Sequence, residues 1–459
     1  MDFIETILAE FSSFMWGMPM VILLVGGGLY FVIYSRFAPF LYFKHALELL
    51  SGRYDDPDDP GDINHFQALS SALAATVGLG NISGVAVAIF MGGPGALFWM
   101  WISAVVGIAT KFFTCSLSIM YRGKDSRGDI QGGPMYVIME GLGKKWKPLA
   151  ILFTLGGLFG PLPIFQANQL TQILRDVIYI PNGIASEASH FGADLGTGLV
   201  LTVIVSLVIF GGIKRIGHVA ARLVPFMVVF YVTSVLIILG FHIDVIPYYF
   251  KLVFVDAFTG EAVMGGAVGS LIVIGIQRGA FSNEAGIGTG SLAHGAAKTK
   301  EPIREGLVAM MGPAIDTIII CTMTAMAILV TGVWQGTEAN GVTMTLLAFN
   351  DVFGIYGAYL LTFSVAIFAI SSMLTYSYFG TKCLGFLIGA ERQHWYNYFY
   401  VVSIVFGAVA SIDAVINLID GMFAVMAIPT VSSAILLSPK VRAAAKDYFS
   451  RIGTFKIYK

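Results

Sequence analysis

Apolar runs of roughly twenty residues recur along this chain, and one of them is broken in its middle, at Ala74-Ala75-Thr76-Val77-Gly78-Leu79-Gly80-Asn81-Ile82. A run of about twenty apolar residues crosses the ~30 Å hydrocarbon of a bilayer as a helix. Hydrocarbon cannot satisfy a bare backbone N–H or C=O, so irregular backbone at that depth survives only where it lines a cavity or a site. A second glycine-rich stretch, Gly275-Ile276-Gln277-Arg278-Gly279, sits in a later apolar run and predicts a second break. Paired broken spans in corresponding halves of a chain point to a transporter's substrate site.

The composition fits that reading. Apolar residues make up 56% of the chain and charged residues 12%, whereas a soluble domain carries about 25% charge. A soluble globular domain is thereby excluded. Cys115, Cys321 and Cys383 fall in apolar segments without metal-ligand spacing and read as buried free thiols. No Lys or Arg precedes Arg36, so the first span lacks the basic flank of a cleaved signal peptide and is expected to be retained.

Eleven spans are expected, at 14–35, 66–91, 95–120, 148–176, 196–211, 218–241, 263–292, 304–333, 343–380, 395–411 and 415–437. Pro161 and Pro163 should kink the fourth. With this count, Arg36, Lys44, Arg53, the basic residues at 122–147, Lys214, Arg215, Arg222, Lys298, Lys300, Arg304, Lys382, Arg392 and the basic tail fall on one side, against Arg175 and Lys251 on the other. The positive-inside rule then puts the N-terminus outside and the C-terminus in the cytoplasm of a multi-pass cell-membrane protein. Residues 40–50 carry Phe40, Phe43, Leu47 and Leu50 at helical spacing beside Lys44 and His45, which suits a helix on the cytoplasmic interface. The acidic run at 55–62 lacks the closing Glu of a calcium loop and reads as a solvated turn.

With the first span set aside, ten remain, five from His65 and five from Gly265, each set opening on a predicted break. An odd number of spans per set inverts one against the other, which is the inverted-repeat plan of secondary transporters. The expected organisation is an accessory span at 1–37, an interfacial segment at 38–65, repeats at 66–241 and 262–437, and a basic tail at 438–459.

Gly92-Gly93-Pro94-Gly95-Ala96-Leu97-Phe98-Trp99-Met100-Trp101-Ile102-Ser103-Ala104-Val105-Val106-Gly107 resembles the signature of the alanine/glycine:cation symporter family, and Gly132-Gly133-Pro134-Met135-Tyr136 and Phe281-Ser282-Asn283-Glu284-Ala285-Gly286 also look like that family. The similarity runs over nearly the whole chain. It implies an all-α LeuT-type fold of five plus five spans, here with one extra N-terminal helix. It also implies import of alanine or glycine driven by Na⁺, or in some members by protons. Thr76–Asn81 further resembles the first-helix break of neurotransmitter:sodium symporters, which share that fold.

A zwitterionic amino acid needs an anion site and a cation site a few ångströms apart, and a helix opened in mid-membrane offers both. N–H groups at Leu79 and Gly80 begin the second half-helix and can hold a carboxylate. Carbonyls at 74–77, with Thr76 at that rim, end the first half and can hold an ammonium or Na⁺. Gly78 permits the geometry, and Asn81 offers a neutral oxygen or an amide. Packing of two helices through Gly78 and Gly80 is the bland alternative.

The polar run at 165–172 adds Phe165 and Gln169 as substrate ligands, with Gln166 and Gln172 fitting interhelical hydrogen bonds better. Gly275, Ile276 and Gly279 are expected to expose backbone to the amino group, with Gln277 and Arg278 structural. Phe368-Ala369-Ile370-Ser371-Ser372 resembles the eighth-core-helix sodium site of LeuT-type symporters, which implies a cation held by Ala74, Val77, Phe368, Ser371 and Ser372, with Phe368 also facing substrate. Neutral oxygens suit a hard monovalent cation.

Asp316 is an intramembrane carboxylate, which suggests ion or proton handling, though the sequence does not place it near substrate. Glu284 is read as a gating group or a partner of Arg278. The expected cargo is L-alanine or glycine, with D-alanine and oligomeric state left open; no cofactor beyond the coupling ion Na⁺ and no nucleic-acid partner are expected. No phosphate-binding Gly-x-x-x-x-Gly-Lys-[Ser/Thr] loop occurs. A channel would carry filter loops or charge rings, and an enzyme would need clustered His, Asp or Glu. A proton-coupled symporter is the nearest alternative.

Overall fold

The computed structural model describes residues 2–258, 267–336 and 338–452, and it is 79% helical. Among the described residues, seven helices are long and apolar enough to cross a membrane, or up to nine spans when each of two bent pairs is taken as one. The first bent pair is α1 (Phe3–Met15) and α2 (Met18–Tyr34), which meet at 48°. The predicted first span, 14–35, covers α2 and the turn before it, and α1, with Phe3 and Phe14 outward, is the more amphipathic of the two.

The interfacial helix α3 (Phe43–Leu50) buries Ala46 and Leu49 and leaves Phe43 and Leu47 exposed. His45 Nε2 meets Tyr448 Oη at 2.7 Å, which ties α3 to the last helix. Asp55, Asp56, Asp58 and Asp62 of the acidic turn are exposed, as expected of a solvated turn. Asp59 is buried, and Lys300 Nζ lies 2.8 Å from its carboxylate. Burial pushes the Asp59 carboxyl up, but the hydrogen bonds and charge of Lys300 outweigh it and hold the group below the ordinary aspartate range.

The second bent pair is the predicted broken span: α4 (His65–Thr76) and α5 (Gly80–Gly92) meet at 51°. Asn64 caps α4, its side chain accepting from Gln67 N while Gln67 reaches back to the Asn64 N–H. Then come α6 (Ala96–Met120), α7 (Lys144–Tyr179), α8 (Phe191–Ile209) and α9 (Gly212–Phe241). α7 is interrupted at 160–163, where Pro161 and Pro163 were expected to kink it.

After α10 (Ile246–Asp256), α11 (Ala267–Asn283) runs straight through the stretch predicted to break. The break comes after it, at 284–288, where Glu284, Gly286 and Gly288 have φ of 53°, 87° and 105°. The short α12 (Thr289–His294) completes this second interrupted span. The misplacement has a packing cause. A Cβ on Gly275 would lie 2.4 Å from Trp99 Cβ, and one on Gly279 would lie 2.8 Å from Ser103 Cβ. These glycines let α11 lie against α6; they do not unwind it.

α13 (Pro302–Val330) follows. The predicted span at 343–380 is two helices, α14 (Val342–Phe353) and α15 (Ile355–Ile388), because Gly354 at φ 56° turns the chain between them. α16 (Trp395–Val409) and α17 (Ile412–Arg451) close the bundle.

Candidate functional site

The two interrupted spans face each other at their breaks, and a carboxylate joins them. Asn81 Oδ1 accepts from the Gly78 N–H at 2.8 Å, so the asparagine caps the opened backbone. Its amide donates to Asp316 Oδ1 at 2.8 Å and to the Asp316 carbonyl at 3.0 Å. From the other span, Ser282 Oγ donates to Asp316 Oδ2 at 2.8 Å, and Thr317 Oγ1 donates to the same oxygen at 2.7 Å. All four residues are buried. A full carboxylate with only neutral donors in a dry interior is costly unless those donors are well aimed.

Sequence reasoning flagged Asp316 and missed its position. The available signal was Ser282 and Asn81 themselves: two small polar side chains in apolar runs, Asn81 at the predicted first break and Ser282 just past the predicted second, need buried partners.

Close approach explains Gly78 and Gly80. A Cβ on Gly78 would fall 2.4 Å from Ser372 Oγ, so the break rests against α15. A Cβ on Gly80 would lie 3.3 Å from Ser282 Cα and 3.4 Å from Phe281 Cδ1. The Phe281 ring meets Phe165 edge to face, centroids 5.2 Å apart, which brings Phe165 to the same point. Thr76 Oγ1 and Ser83 Oγ, on either side of the break, are buried without a hydrogen-bond partner among the described residues.

Ser371 and Ser372 both donate to the Phe368 carbonyl, at 2.9 and 3.1 Å. Their lone pairs and that carbonyl form one patch of neutral oxygen, with Ser372 beside Gly78 and the buried Ala74 and Val77 on the facing half-helix. The Phe368 ring packs on Tyr231, centroids 5.3 Å apart.

Other expected site residues lie elsewhere. Gln169 is buried, but its amide donates to Asn168 and Gln172, and its oxygen accepts from Val342 N at 3.2 Å. It belongs to a polar ladder joining α7 to the start of α14. Gly275, Ile276 and Gly279 sit inside α11, with Ile276 buried, so their backbone is not the opened segment. Glu284 does not pair with Arg278: it accepts from Thr289 and, at 2.5 Å, from Tyr376 Oη. Arg278 pairs with Asp420, which also accepts from Gln277 at 2.8 Å. Beside that ion pair lies a cavity of about 360 Å³ bordered by Trp16, Gln277, Arg278, Asn340, Asn417 and Asp420.

Two interrupted membrane spans tied at their breaks, beside a patch of neutral oxygens, define a secondary transporter rather than a channel or an enzyme. The structure aligns with that of MhsT in complex with L-phenylalanine at a TM-score of 0.59, with 15% identity, covering 82% of this chain and 89% of that one, and shares its LeuT-type fold. Residues 1–456 match the sodium:alanine symporter family, and the chain belongs to it. It is 39% identical over 454 residues to the sodium/alanine symporter AgcS of Methanococcus maripaludis, covering 98% of both chains. It is also 39% identical over 458 residues to an uncharacterized transporter of Haemophilus influenzae, covering 98% of this chain and 97% of that one. The protein is a sodium-coupled amino-acid symporter of the membrane and not an enzyme.

Proposed function

We propose that this symporter imports small neutral amino acids, L-alanine and glycine, together with Na⁺, by alternating access around the two breaks. The observation that carries this reading is the Asp316 tie, because it holds the opened backbone of α4–α5 and the end of α11 at one buried point. In this reading the N–H groups of Leu79 and Gly80 hold the substrate carboxylate, and the rim at Thr76 and Gly78 faces the ammonium. The rings of Phe165 and Phe368 bound the side-chain space. The carbonyls of Ala74, Val77 and Phe368 and the hydroxyls of Ser371 and Ser372 hold Na⁺. Asn81 acts by shaping the break, since its amide and oxygen are both engaged. Gln169 acts from the ladder behind Phe165.

Eleven spans with the N-terminus outside fit the basic residues gathered at the end that holds residues 36–62 and 438–452. The two LeuT-type repeats are then 66–241 and 262–437, with 1–37 accessory. Proton coupling is the second reading, supported by the two carboxyls, Asp316 and Glu284, buried at the breaks.

Phe281 and Ser282 crowd Gly80 and Ser372 crowds Gly78, so the space at the break is narrow and a small side chain should fit there better than a large one. Labelled alanine bound to purified protein in Na⁺ should therefore be displaced by glycine and alanine at least about tenfold better than by leucine. Equal competition by leucine would refute the assignment of cargo.

Ser371→Ala combined with Ser372→Ala removes two of the proposed cation ligands. The Na⁺ concentration for half-maximal uptake should rise about tenfold, with the maximal rate less affected. An unchanged Na⁺ dependence would move the ion elsewhere.

A further inference from the structure

Lys111 lies deep in α6 and is 2% exposed, yet its ammonium makes no hydrogen bond or ion pair among the described residues. The side chain passes between α12 and α13, through a gap kept open by two glycines. A Cβ on Gly290 of α12 would lie 3.5 Å from Lys111 Cε, and one on Gly312 of α13 would lie 3.1 Å from Nζ. The carboxylates whose charge bears on the ammonium are Glu284, at the second break, and Asp316, tied to the first. Both oxygens of Asp316 accept, from Asn81, Ser282 and Thr317. Both oxygens of Glu284 accept as well, from Tyr376 and Thr289. A donor at every oxygen is the pattern of an ionised carboxylate.

Filling this gap does not require a charge. Methionine would fill it without the cost of burying an ammonium, so what lysine adds is its charge. A buried ammonium is tolerated where opposite charge offsets it, and in a low dielectric that offset acts over several ångströms. One ammonium against two carboxylates leaves a single negative charge at the breaks. Arg278 and Asp420 cancel each other beside a separate cavity.

The Na⁺ ligands proposed above are all neutral oxygens, so the charge that draws the ion comes from this remainder. The link between them is short. Ser372 rests against Gly78, the Gly78 N–H donates to Asn81, and the Asn81 amide donates to Asp316.

We propose that Lys111 is a coupling residue: a cation built into the chain that cancels one of the two carboxylates at the breaks, so that one monovalent cation accompanies each amino acid where two would otherwise be needed. The inference rests on the sodium-symport reading and deepens it by giving the number of ions. Without Lys111 the breaks carry two negative charges, and a second Na⁺ or a proton takes its place.

The test uses the full-length wild type and Lys111→Gln reconstituted in liposomes, with the membrane potential clamped at zero. The alanine ratio reached at equilibrium is measured against an imposed Na⁺ ratio at equal pH, and separately against a pH gradient at equal Na⁺. An equilibrium ratio reports ions per alanine and not the amount of active protein. A tenfold Na⁺ ratio should hold alanine at about tenfold in the wild type and at about 100-fold in Lys111→Gln. If the second cation is a proton, the variant stays at about tenfold in that arm and also accumulates alanine from the pH gradient, which the wild type does not. Either result supports the proposal.

A variant that holds alanine at about tenfold and ignores pH would overturn it, as would a wild type at about 100-fold. Lys111→Gln combined with Glu284→Gln restores the single negative charge, and this double variant should return to about tenfold with no response to pH. A double variant still at about 100-fold would overturn the charge count. If Lys111→Gln alone does not transport, the double variant decides: recovered accumulation at about tenfold supports the count, and no recovery overturns it. Absence of sodium-driven accumulation in the wild type would refute the symport reading instead, a result distinct from all of these.

Discussion

Asp316→Ala should lower sodium-driven alanine uptake by about 100-fold or more. The carboxylate accepts from Asn81 at 2.8 Å, from Ser282 at 2.8 Å and from Thr317 at 2.7 Å, and all of these groups are buried. Alanine removes the charged acceptor that the three donors share, leaving Asn81 and Ser282 only weaker partners, and each lost bond costs about 1–3 kcal/mol in a buried place. The loss is not additive, because the donors share one partner. Even about 2.7 kcal/mol at the site is a factor of about 100 in binding.

The consequence is local and geometric. Without the Asp316 carboxylate, α13 holds the Asn81 cap only through the backbone carbonyl of residue 316 and Cys321 Sγ, and the two breaks lose their common anchor. Asp316→Asn separates the tie from the charge. Its oxygen can still accept from Asn81, and the hydroxyls of Ser282 and Thr317 can turn to accept from its amide. Near-wild-type uptake by the alanine variant would refute the role of this tie.

Gly80→Val should reduce alanine affinity by a similar factor. The first carbon added at residue 80 already meets Ser282 Cα at 3.3 Å and Phe281 Cδ1 at 3.4 Å. Those neighbours have little freedom: Ser282 is bonded to Asp316, and Phe281 is wedged against Phe165 and Phe423, centroids 5.2 and 5.8 Å away. Valine adds two methyl groups beyond that carbon, so one break must move away from the other, at an overpacking cost of about 1–3 kcal/mol. The branched side chain also enters the space in front of the Leu79 and Gly80 N–H groups, where the substrate carboxylate is proposed to sit. Alanine binding measured by calorimetry, beside a melting curve that shows the variant to be folded, separates site loss from unfolding. Undiminished affinity would remove the carboxylate from this position.

The comparison of sequence with structure turns on what a glycine means in a membrane helix. At Gly78 and Gly80 the neighbouring Asn81 and Thr76 added a polar signature, and the helix does break there, by 51°. At Gly275 and Gly279 the flanking residues are apolar or long, and the glycines serve close packing of α11 on Trp99 and Ser103. The true second break, at 284–288, has the same mixture of small and polar residues as the first: Ser282 and Asn283 precede it and Thr289 follows. Glycine alone therefore does not distinguish unwinding from close approach, whereas glycine beside an Asn or Ser that needs a buried partner does.

Pairings across the fold were harder to read. Arg278 with Asp420, Glu284 with Tyr376, and the His65–Glu305–His294 cluster each join residues distant in sequence. A single sequence carries each buried charge without naming its partner. Buried ionisable groups demand partners; the sequence singled out Arg278, Glu284 and Asp316 but not Asp420, Glu305 or His294, and the one pairing it offered, Glu284 with Arg278, is not made. The split of 343–380 into α14 and α15 was hidden for a simpler reason: Gly354 lies between two apolar stretches that read as one.

The central claim, that sodium drives a small neutral amino acid through these two breaks, is tested most directly in proteoliposomes loaded with labelled alanine outside and with gradients imposed one at a time. An inward Na⁺ gradient at equal pH should concentrate alanine inside, and dissipating that gradient should release it. A pH gradient at equal Na⁺ should produce no accumulation. Accumulation driven by the pH gradient alone, with none from Na⁺, would contradict the account.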